Sequence, residues 1–373
     1  MVSKALNISK KTISAIWIAF NAVLMAVLLF AAYGGYIDPE KTVIPQLVNL
    51  VFPLIVAGAV FMMLLNLFVK RLLSLAWLIA LIACGEPIIT FSPVNFPAAS
   101  GTEKTNDRQF TLLTYNTFNF ASHDNVGTEE WGNRTAAYII ADSADIVCIQ
   151  ESGQLFNVHN SQADSLRSIY PYIPDQNPYS SNIILSKFPV EEIKLPLQDW
   201  GSGRFQAYWV SIPALKRPLM LVNVHLQSFQ LTDSDKSVYK EISMKENATR
   251  DDLRQVKSQI KDKLVPALRL HAVQARSIAS LIDSLKPENV IVCGDFNDVC
   301  GSYGYRYLRN QCRLEDAYTN TAFGPTATYN DSKLYFHIDQ VLYRGKFIPI
   351  AMERGHLRSS DHYPLTTIFE CEK

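Results

Sequence analysis

The chain of 373 residues lacks a basic surplus. Lys and Arg number 35, Asp and Glu number 35, and the formal net charge is zero. Residues 1–100 hold six Lys/Arg and three Asp/Glu, which leaves 29 and 32 beyond them, a net of −3. A domain that grips long nucleic acid ordinarily carries an excess of positive charge, so this balance argues against long nucleic acid, although a bound metal would add positive charge where a phosphate sits. Cysteine is also sparse. With six in the chain, no CxxC pair and no His/Cys cluster, neither a structural zinc site nor a disulfide framework is indicated. Cys148 and Cys293 fall in β-forming runs, where a thiol serves as a small apolar side chain. Cys300 and Cys312 flank a short predicted helix, and a disulfide between them is an expectation to test. Repeats and low-complexity tracts are absent.

What the first hundred residues lack is charge. Three apolar spans, about Ser14 to Tyr33, Val43 to Val69 and Leu72 to Phe91, are each near or above the length that crosses a bilayer. Glu86 falls near the end of the third. Lys4, Lys10 and Lys11 precede the first span and Lys70-Arg71 form the turn between the second and third, which by the positive-inside rule puts both in the cytoplasm. Three crossings then leave everything after Phe91 on the periplasmic or extracytoplasmic side of the cell (inner) membrane. A cleaved signal peptide is the alternative for the first span, but no clear small-x-small site follows it. The domains expected are a membrane anchor over 1–92, a linker over 93–107 with Pro93, Pro97, Ser100 and Gly101, and a folded domain over 108–373.

The rest alternates β-forming runs with helical patterns, an α/β signature with hairpin spacing in the middle. Thr128 is the expected cap of a helix with Glu129 and Glu130 in its first turn and Trp131, Ala136, Ile139 and Ile140 toward a core. Another helix is expected over Gln162 to Ile169, and strands over Asn182 to Ser186 and Ala207 to Ile212. Phe229 to Lys263 reads as a charged insertion with Asn247-Ala248-Thr249 inside it. A helix through Leu285 follows, with Val273, Ile278, Leu281 and Ile282 on its core face. Several β-runs stop at a polar or ionisable side chain. One run, Phe110 to Tyr115, ends in Asn116; Asp145 to Gln150 ends in Glu151; Leu219 to Val224 ends in His225; and Val290-Ile291-Val292-Cys293-Gly294 ends in Asp295-Phe296-Asn297. Asp339 lies within His337-Ile338-Asp339-Gln340, and Asp361-His362 within Ser360-Asp361-His362-Tyr363-Pro364-Leu365. Strands that bring such tips together build a site.

The ordered set Asn116, Gln150-Glu151, Asn223-Val224-His225-Leu226, Gly294-Asp295-Phe296-Asn297, Ile338-Asp339 and Ser360-Asp361-His362-x-Pro364-Leu365 resembles the endonuclease/exonuclease/phosphatase superfamily, the deoxyribonuclease I-like fold, over roughly residues 108 to 370. The resemblance implies an α/β domain of two packed mixed β-sheets flanked by helices, a four-layer sandwich, here preceded by three transmembrane helices. It implies a phosphoester hydrolase that uses Mg²⁺ or Mn²⁺, with Glu151, Asn116 and Asp361 as metal ligands. Asp295 would orient and deprotonate the attacking water, and Asn297 would hold the phosphate or that water. His225 and His362 would donate to phosphate oxygens, with Asp339 fixing the His362 tautomer.

Members often carry Arg two residues before the aspartate of the Ile-Asp motif, where this chain has His337, so a charge contact there is lost or becomes pH-dependent. Arg204 is a loop arginine that could meet substrate phosphate. The expected partners are a lipid bilayer through the N-terminal helices and a phosphate-ester substrate, with a phospholipid or small ester favoured. An extracytoplasmic nuclease is the alternative, with Tyr170, Tyr172 and Tyr179 available to stack bases. A binding or scaffold protein that keeps the fold without turnover is the reading from another class.

Overall fold

The computed structural model describes residues 2–96, 104–121, 133–153, 155, 160–175, 180–195, 204–232, 235, 249, 254, 256–258, 260–331 and 334–373. They fall into two compact units, Met1–Phe91 with Gly301–Tyr303, and Ser92–Cys300 with Gly304–Lys373.

In the first unit two helices are long and apolar enough to cross a membrane, Lys10–Tyr36 and Phe52–Val69. The third apolar stretch departs from the expected single span: it forms two helices, Arg71–Ala83 and Gly85–Phe91, bent by 63°. Pro87 lacks an N–H, and its ring clashes with the carbonyl four residues back, that of Ala83, so the helical ladder breaks there. The helices share an apolar cluster that includes Leu28, Phe52, Met62 and Trp77. Several of their buried polar side chains are paired with one another. Trp17 Nε1 donates to Asn66 Oδ1 (3.0 Å), Asn66 Nδ2 to Asn21 Oδ1 (2.8 Å) and Trp77 Nε1 to the same Asn21 oxygen (2.7 Å). Amides shielded from water need such partners, and pairs that join separate helices fix how those helices pack.

The second unit contains, among the described residues, strands β1 (Gln109–Asn116), β2 (Ile146–Gln150), β3 (Ile183–Ser186), β4 (Val190–Ile193), β5 (Phe205–Val210), β6 (Leu219–His225), β7 (Asn289–Asp295), β8 (Glu315–Asp316), β9 (Tyr329–Asp331), β10 (Leu334–Phe336), β11 (Asp339–Arg344), β12 (Phe347–Arg354) and β13 (Leu365–Cys371). One sheet has the order β12-β13-β1-β2-β3, the other β4-β5-β6-β7-β11-β8, and β9 pairs with β10. Each large sheet is mixed: β1 and β2 run parallel, as do β6 and β7, and the remaining pairs are antiparallel.

The alternation of side chains along a strand explains the layers. On β1 and β2, Leu112, Ile146 and Cys148 enter a core shared with Tyr208, Leu219, Leu221, Ile291, Cys293 and Val341 of the other sheet. Their neighbours Leu113, Val147 and Ile149 point the opposite way, onto Ala136 and Ile139 of the Arg134–Asp142 helix and Leu166 of the Asn160–Ile169 helix. Sheets therefore face each other with helices outside. The two sheets are also joined by side-chain amides: Gln150 Nε2 at the end of β2 donates to Asn223 Oδ1 of β6 (2.6 Å), and Asn223 Nδ2 donates to the carbonyls of Ile149 and Ile183.

Several local expectations change. The Arg134–Asp142 helix is capped by Asn133, whose side chain accepts from Ala136 N; Thr128, Glu129, Glu130 and Trp131 lie outside the described residues, as do Tyr179, Asn247 and most of the expected insertion. The Val265–Leu285 helix buries Ile278 and Ile282 as expected, but its core face also carries the polar His271 and Gln274, while Val273 and Leu281 are only half-buried. Tyr170 is 1% exposed and packs in the helix-covered core, so it offers no face to a base. All six cysteines are free. Cys300 and Cys312, the latter closing the Tyr303–Cys312 helix, are buried as separate thiols, so the expected disulfide is not made.

Candidate active site

The strand directions bring the polar tips together. Because β1 and β2 are parallel, Asn116 and Gln150 end their strands side by side, and Glu151 follows. Parallel pairing of β6 with β7 sets His225 beside Asp295. Antiparallel pairing of β11 with β7 sets Asp339, at the start of its strand, beside the same Asp295. Asp361 and His362 precede β13, whose Leu365 pairs with Thr114 near the end of β1. Gly294 makes the approach possible. Its φ is +131°, and a Cβ there would lie 2.1 Å from the Val224 carbonyl oxygen and 3.0 Å from Gln150 Nε2.

Asp295 is the hub. It is 1% exposed, and its Oδ1 accepts from the backbone N–H of Asn297 (2.7 Å). Its Oδ2 accepts from Asn116 Nδ2 (3.0 Å) and Asn297 Nδ2 (3.3 Å), and lies 3.6 Å from His362 Nε2 and 3.7 Å from His225 Nε2. Asn297 Nδ2 also donates to the Leu226 carbonyl (3.0 Å). His362 Nδ1 lies 2.8 Å from Asp339 Oδ2. Thr328 Oγ1 accepts from the backbone N–H groups of both Ile338 and Asp339, and Tyr329 packs its ring edge-on to His362, centroids 5.1 Å apart.

On the other side of the hub, Glu151 Oε1 accepts from Asn116 Nδ2 (3.2 Å) and lies 3.7 Å from His225 Nε2, while Oε2 accepts from Asn119 Nδ2 (3.2 Å). Glu151 and Asn297 both have positive φ, 54° and 49°. For a glutamate this is an uncommon conformation whose strain the surrounding contacts must hold.

Electrostatics separate the two histidines. Burial pushes His225 down to about 3, and the neighbouring Arg204 and His362 charges add to the effect, so it is neutral at physiological pH. Burial also opposes the charged form of His362, but the carboxylates of Asp339 and Asp295 outweigh it and raise the imidazole to about 10. Burial drives the Asp295 carboxyl well above the ordinary range, against the pull of the His362 charge. Glu151 is likewise raised, by burial and then by the nearby Asp361 charge, against the Asn116 hydrogen bond. One neutral and one charged histidine around a carboxyl with raised basicity make an acid-base arrangement of the kind that splits roles between like groups.

Residues 113–362 match the model of the Endonuclease/Exonuclease/phosphatase family, more than half of the chain. The chain belongs to the endonuclease/exonuclease/phosphatase family. Membership makes it a phosphoester hydrolase that works with a divalent metal. Residues 11–91 match a model described as a domain of unknown function. None of the curated proteins matches the sequence. Similar solved structures include an endonuclease/exonuclease/phosphatase from Beutenbergia cavernae (15% identity over 71% of this chain and 72% of that one, TM-score 0.46). Others are a truncated TDP2 from Caenorhabditis elegans (16%, 70% and 98%, 0.43) and sphingomyelinase C from Streptomyces griseocarneus (18%, 71% and 99%, 0.41). Likenesses this distant say nothing of the substrate.

Two sets of side chains in this family member merit comparison as holders of the metal. Asp295, Asp339 and His362 place one ligand atom each within 4.8 Å of one another. His362 Nδ1 and Asp339 Oδ2 are already hydrogen-bonded to each other, however, and an imidazole raised to about 10 is a cation, not a ligand. Glu151 and Asp361 instead bring two carboxylates together at a half-buried edge. Hard oxygens with few fixed ligands fit Mg²⁺, and Asn116 stands beside them. Asn116 presents its NH₂ to both Glu151 and Asp295.

Arg204 precedes β5, and its guanidinium donates from Nη2 to Gln227 Oε1 (3.0 Å). Burial lowers its pKa, offset by Asp295 and Glu151, which places its charge among the site carboxylates. His337 is buried, with Nδ1 3.0 Å from the Thr326 carbonyl and its ring on Tyr318. Burial pushes it down, so no charge replaces the arginine common in the family.

Sequence reasoning missed a support behind Arg204. Gln227 donates its backbone N–H to Gln274 Oε1 (3.1 Å), and its carbonyl lies 2.6 Å from His271 Nε2; His271 Nδ1 is 3.2 Å from Asp298 Oδ2. His271 and Gln274 are one helical turn apart on the Val265–Leu285 helix. The available signal was that two polar residues at i and i+3 interrupt an otherwise apolar helix face.

Proposed function

We propose that this chain is a membrane-anchored, Mg²⁺- or Mn²⁺-dependent phosphoesterase acting outside the cytoplasm, with a phospholipid or small phosphate ester as substrate. The observation that carries the reading is the crowding of four nitrogen groups, from Asn116, Asn297, His225 and His362, around the single Asp295 oxygen Oδ2.

In this account Glu151, Asp361 and Asn116 hold the cation, which when bound neutralises phosphoryl oxygens and lowers the cost of charge building in the transition state. Asp295 holds the attacking water through Oδ2 and takes its proton, a task suited to a carboxyl of raised basicity. Asn297 keeps that carboxylate aimed. His362, as an imidazolium steadied by Asp339, donates from Nε2 to a phosphoryl oxygen. Neutral His225 donates to a second oxygen without bringing a charge of its own, and Arg204 adds a fixed positive group as charge develops.

The membrane part of the proposal is that the first unit crosses the bilayer three times, the bent pair Arg71–Ala83 and Gly85–Phe91 counting as one broken span, with Lys70 and Arg71 on the cytoplasmic side. The domains are then an anchor over 1–92, a linker over 93–107 and a catalytic domain over 108–373. A net of −3 after residue 100 favours lipid or small esters over long nucleic acid.

The test is hydrolysis by the full-length protein in detergent or vesicles, with Mg²⁺ or Mn²⁺ and with chelator, of a phospholipid set, soluble phosphate mono- and diesters, plasmid DNA and RNA. Metal-dependent cleavage of lipid or small esters is expected. Cleavage confined to DNA or RNA would make it a nuclease, and inactivity on every ester would leave a scaffold role.

A further inference from the structure

The chain after the last apolar helix is strapped to the catalytic unit by a short backbone pairing. The helix ends at Phe91. Just beyond it, Gly324 N donates to the Pro93 carbonyl (2.8 Å), Asn95 N to the Ala322 carbonyl (3.1 Å), and Val94 forms a β-bridge with Phe323. The Asn95 side chain adds bonds to the carbonyls of Thr319 and Ala322.

The strap displays apolar side chains to the outside. Val94 is 64% exposed, Phe96 84% and Phe323 58%, and the two phenylalanine rings lie 5.8 Å apart. A grouped, exposed aromatic patch marks a contact surface. Its place in the chain names the contact. Three residues past Phe91, Val94 can be at most about 11 Å further along the chain, roughly the depth of one headgroup layer, where aromatic rings are favoured.

We infer that Val94, Phe96 and Phe323 form a patch that docks the catalytic unit onto the bilayer interface, and that the phosphoester it cleaves is carried by a membrane lipid. This rests on the phosphoesterase reading and adds the source of the substrate. The strap reaches the site through five residues. From Phe323 the chain runs to Thr326, whose carbonyl holds His337, and Thr328, whose hydroxyl holds the backbone of Asp339 and whose carbonyl accepts from Tyr363 N, next to His362. The segment pinned to the linker is therefore the one that positions Asp339, and docking of the patch would bring that segment to the lipid surface.

The six native thiols are all buried, so Phe323→Cys creates one accessible position for an environment-sensitive fluorophore in the full chain reconstituted in phosphatidylcholine/phosphatidylglycerol vesicles. Lys286→Cys, just before β7 and thus at the end of the strands away from the site, is the control. The 323 label is expected to shift to the blue and to be quenched several-fold more by nitroxide-bearing lipids than the 286 label. Equal quenching at the two positions overturns docking, as does shielding from water without lipid quenching, the outcome if a second protein copy covers the patch. In kinetics, Val94→Ser with Phe323→Ser is expected to raise KM for vesicle lipid about tenfold while leaving turnover of a soluble ester unchanged. A quenched label in a protein that cleaves soluble esters but no vesicle lipid overturns the lipid substrate and leaves the phosphoesterase reading intact; a quenched label with no ester cleaved overturns that reading and leaves docking.

Discussion

His362 Nδ1 lies 2.8 Å from Asp339 Oδ2, both side chains almost wholly buried. The carboxylate holds the ring as an imidazolium with Nε2 turned to Asp295. Asp339→Asn keeps the shape and removes the charge. It is expected to lower kcat by about 10²-fold or more, with KM changed little, in steady-state assays of a soluble ester. A rate within about twofold of wild type would leave Asp339 with only a packing role.

The two histidines put opposite slopes on stability against pH. His362, raised to about 10 in the fold, contributes stability that is complete below its unfolded value of about 6.5 and is lost as pH rises through 10. His225 is held down to about 3, so below about pH 6.5 the unfolded chain binds a proton that the fold refuses, and stability falls as pH drops toward 3. Thermal unfolding midpoints measured in chelator should therefore fall less steeply in acid for His225→Gln than for wild type. His362→Gln should flatten the alkaline limb instead. Parallel curves for His225→Gln and wild type between pH 6 and 4 would contradict the burial argument.

Glu151→Gln removes the carboxylate proposed to hold the cation. The rise in unfolding midpoint that Mg²⁺ or Mn²⁺ gives the wild type should disappear, and turnover should drop by about 10²-fold or more. Because the fold lifts Glu151 above the ordinary carboxylate range, cation affinity should also weaken at mildly acid pH, where a proton competes for the site. A calorimetric titration with each metal reads both effects; an unchanged midpoint shift in Glu151→Gln would move the cation to other residues.

Gln227 carries Arg204 on its side chain and is itself pinned by His271 and Gln274. Gln227→Ala is expected to lower kcat/KM about tenfold and Arg204→Ala by more, while the double variant is no worse than Arg204→Ala alone, the sign of two residues acting through one contact. His271→Ala leaves Asp298 buried without its imidazole partner and should destabilise the fold by about 3 kcal/mol. Additive losses in the Arg204/Gln227 cycle would separate the two residues.

Asn116, Glu151, His225 and Asp295-Phe296-Asn297 were legible because each closes an apolar run with a polar or ionisable residue. Asp339 and His362, which open β11 and precede β13, were legible only through the motifs that contain them. Arg204 was legible only as a loop arginine, since its place depends on Gln227 and on His271, 67 residues onward in the chain. His271 and Asp298 were harder to read, because the one local signal, His271 and Gln274 at i and i+3 on an otherwise apolar helix face, does not show which groups they meet. The bend in the third apolar stretch was not legible because hydropathy passes over Pro87, which interrupts the helical hydrogen-bond ladder. The Cys300–Cys312 pairing is not made, because which thiols meet is set by how the chain packs around the helix and not by their spacing in sequence.

The most direct measurement is turnover of a phospholipid and a soluble phosphate ester by the full-length protein and its Asp295→Asn variant, each with Mg²⁺ and with chelator. Metal-dependent hydrolysis by the wild type, reduced by about 10³-fold in Asp295→Asn with the unfolding midpoint preserved, is the predicted result. Equal rates for the two proteins, or hydrolysis that persists in chelator, would contradict a metal-dependent site built around Asp295.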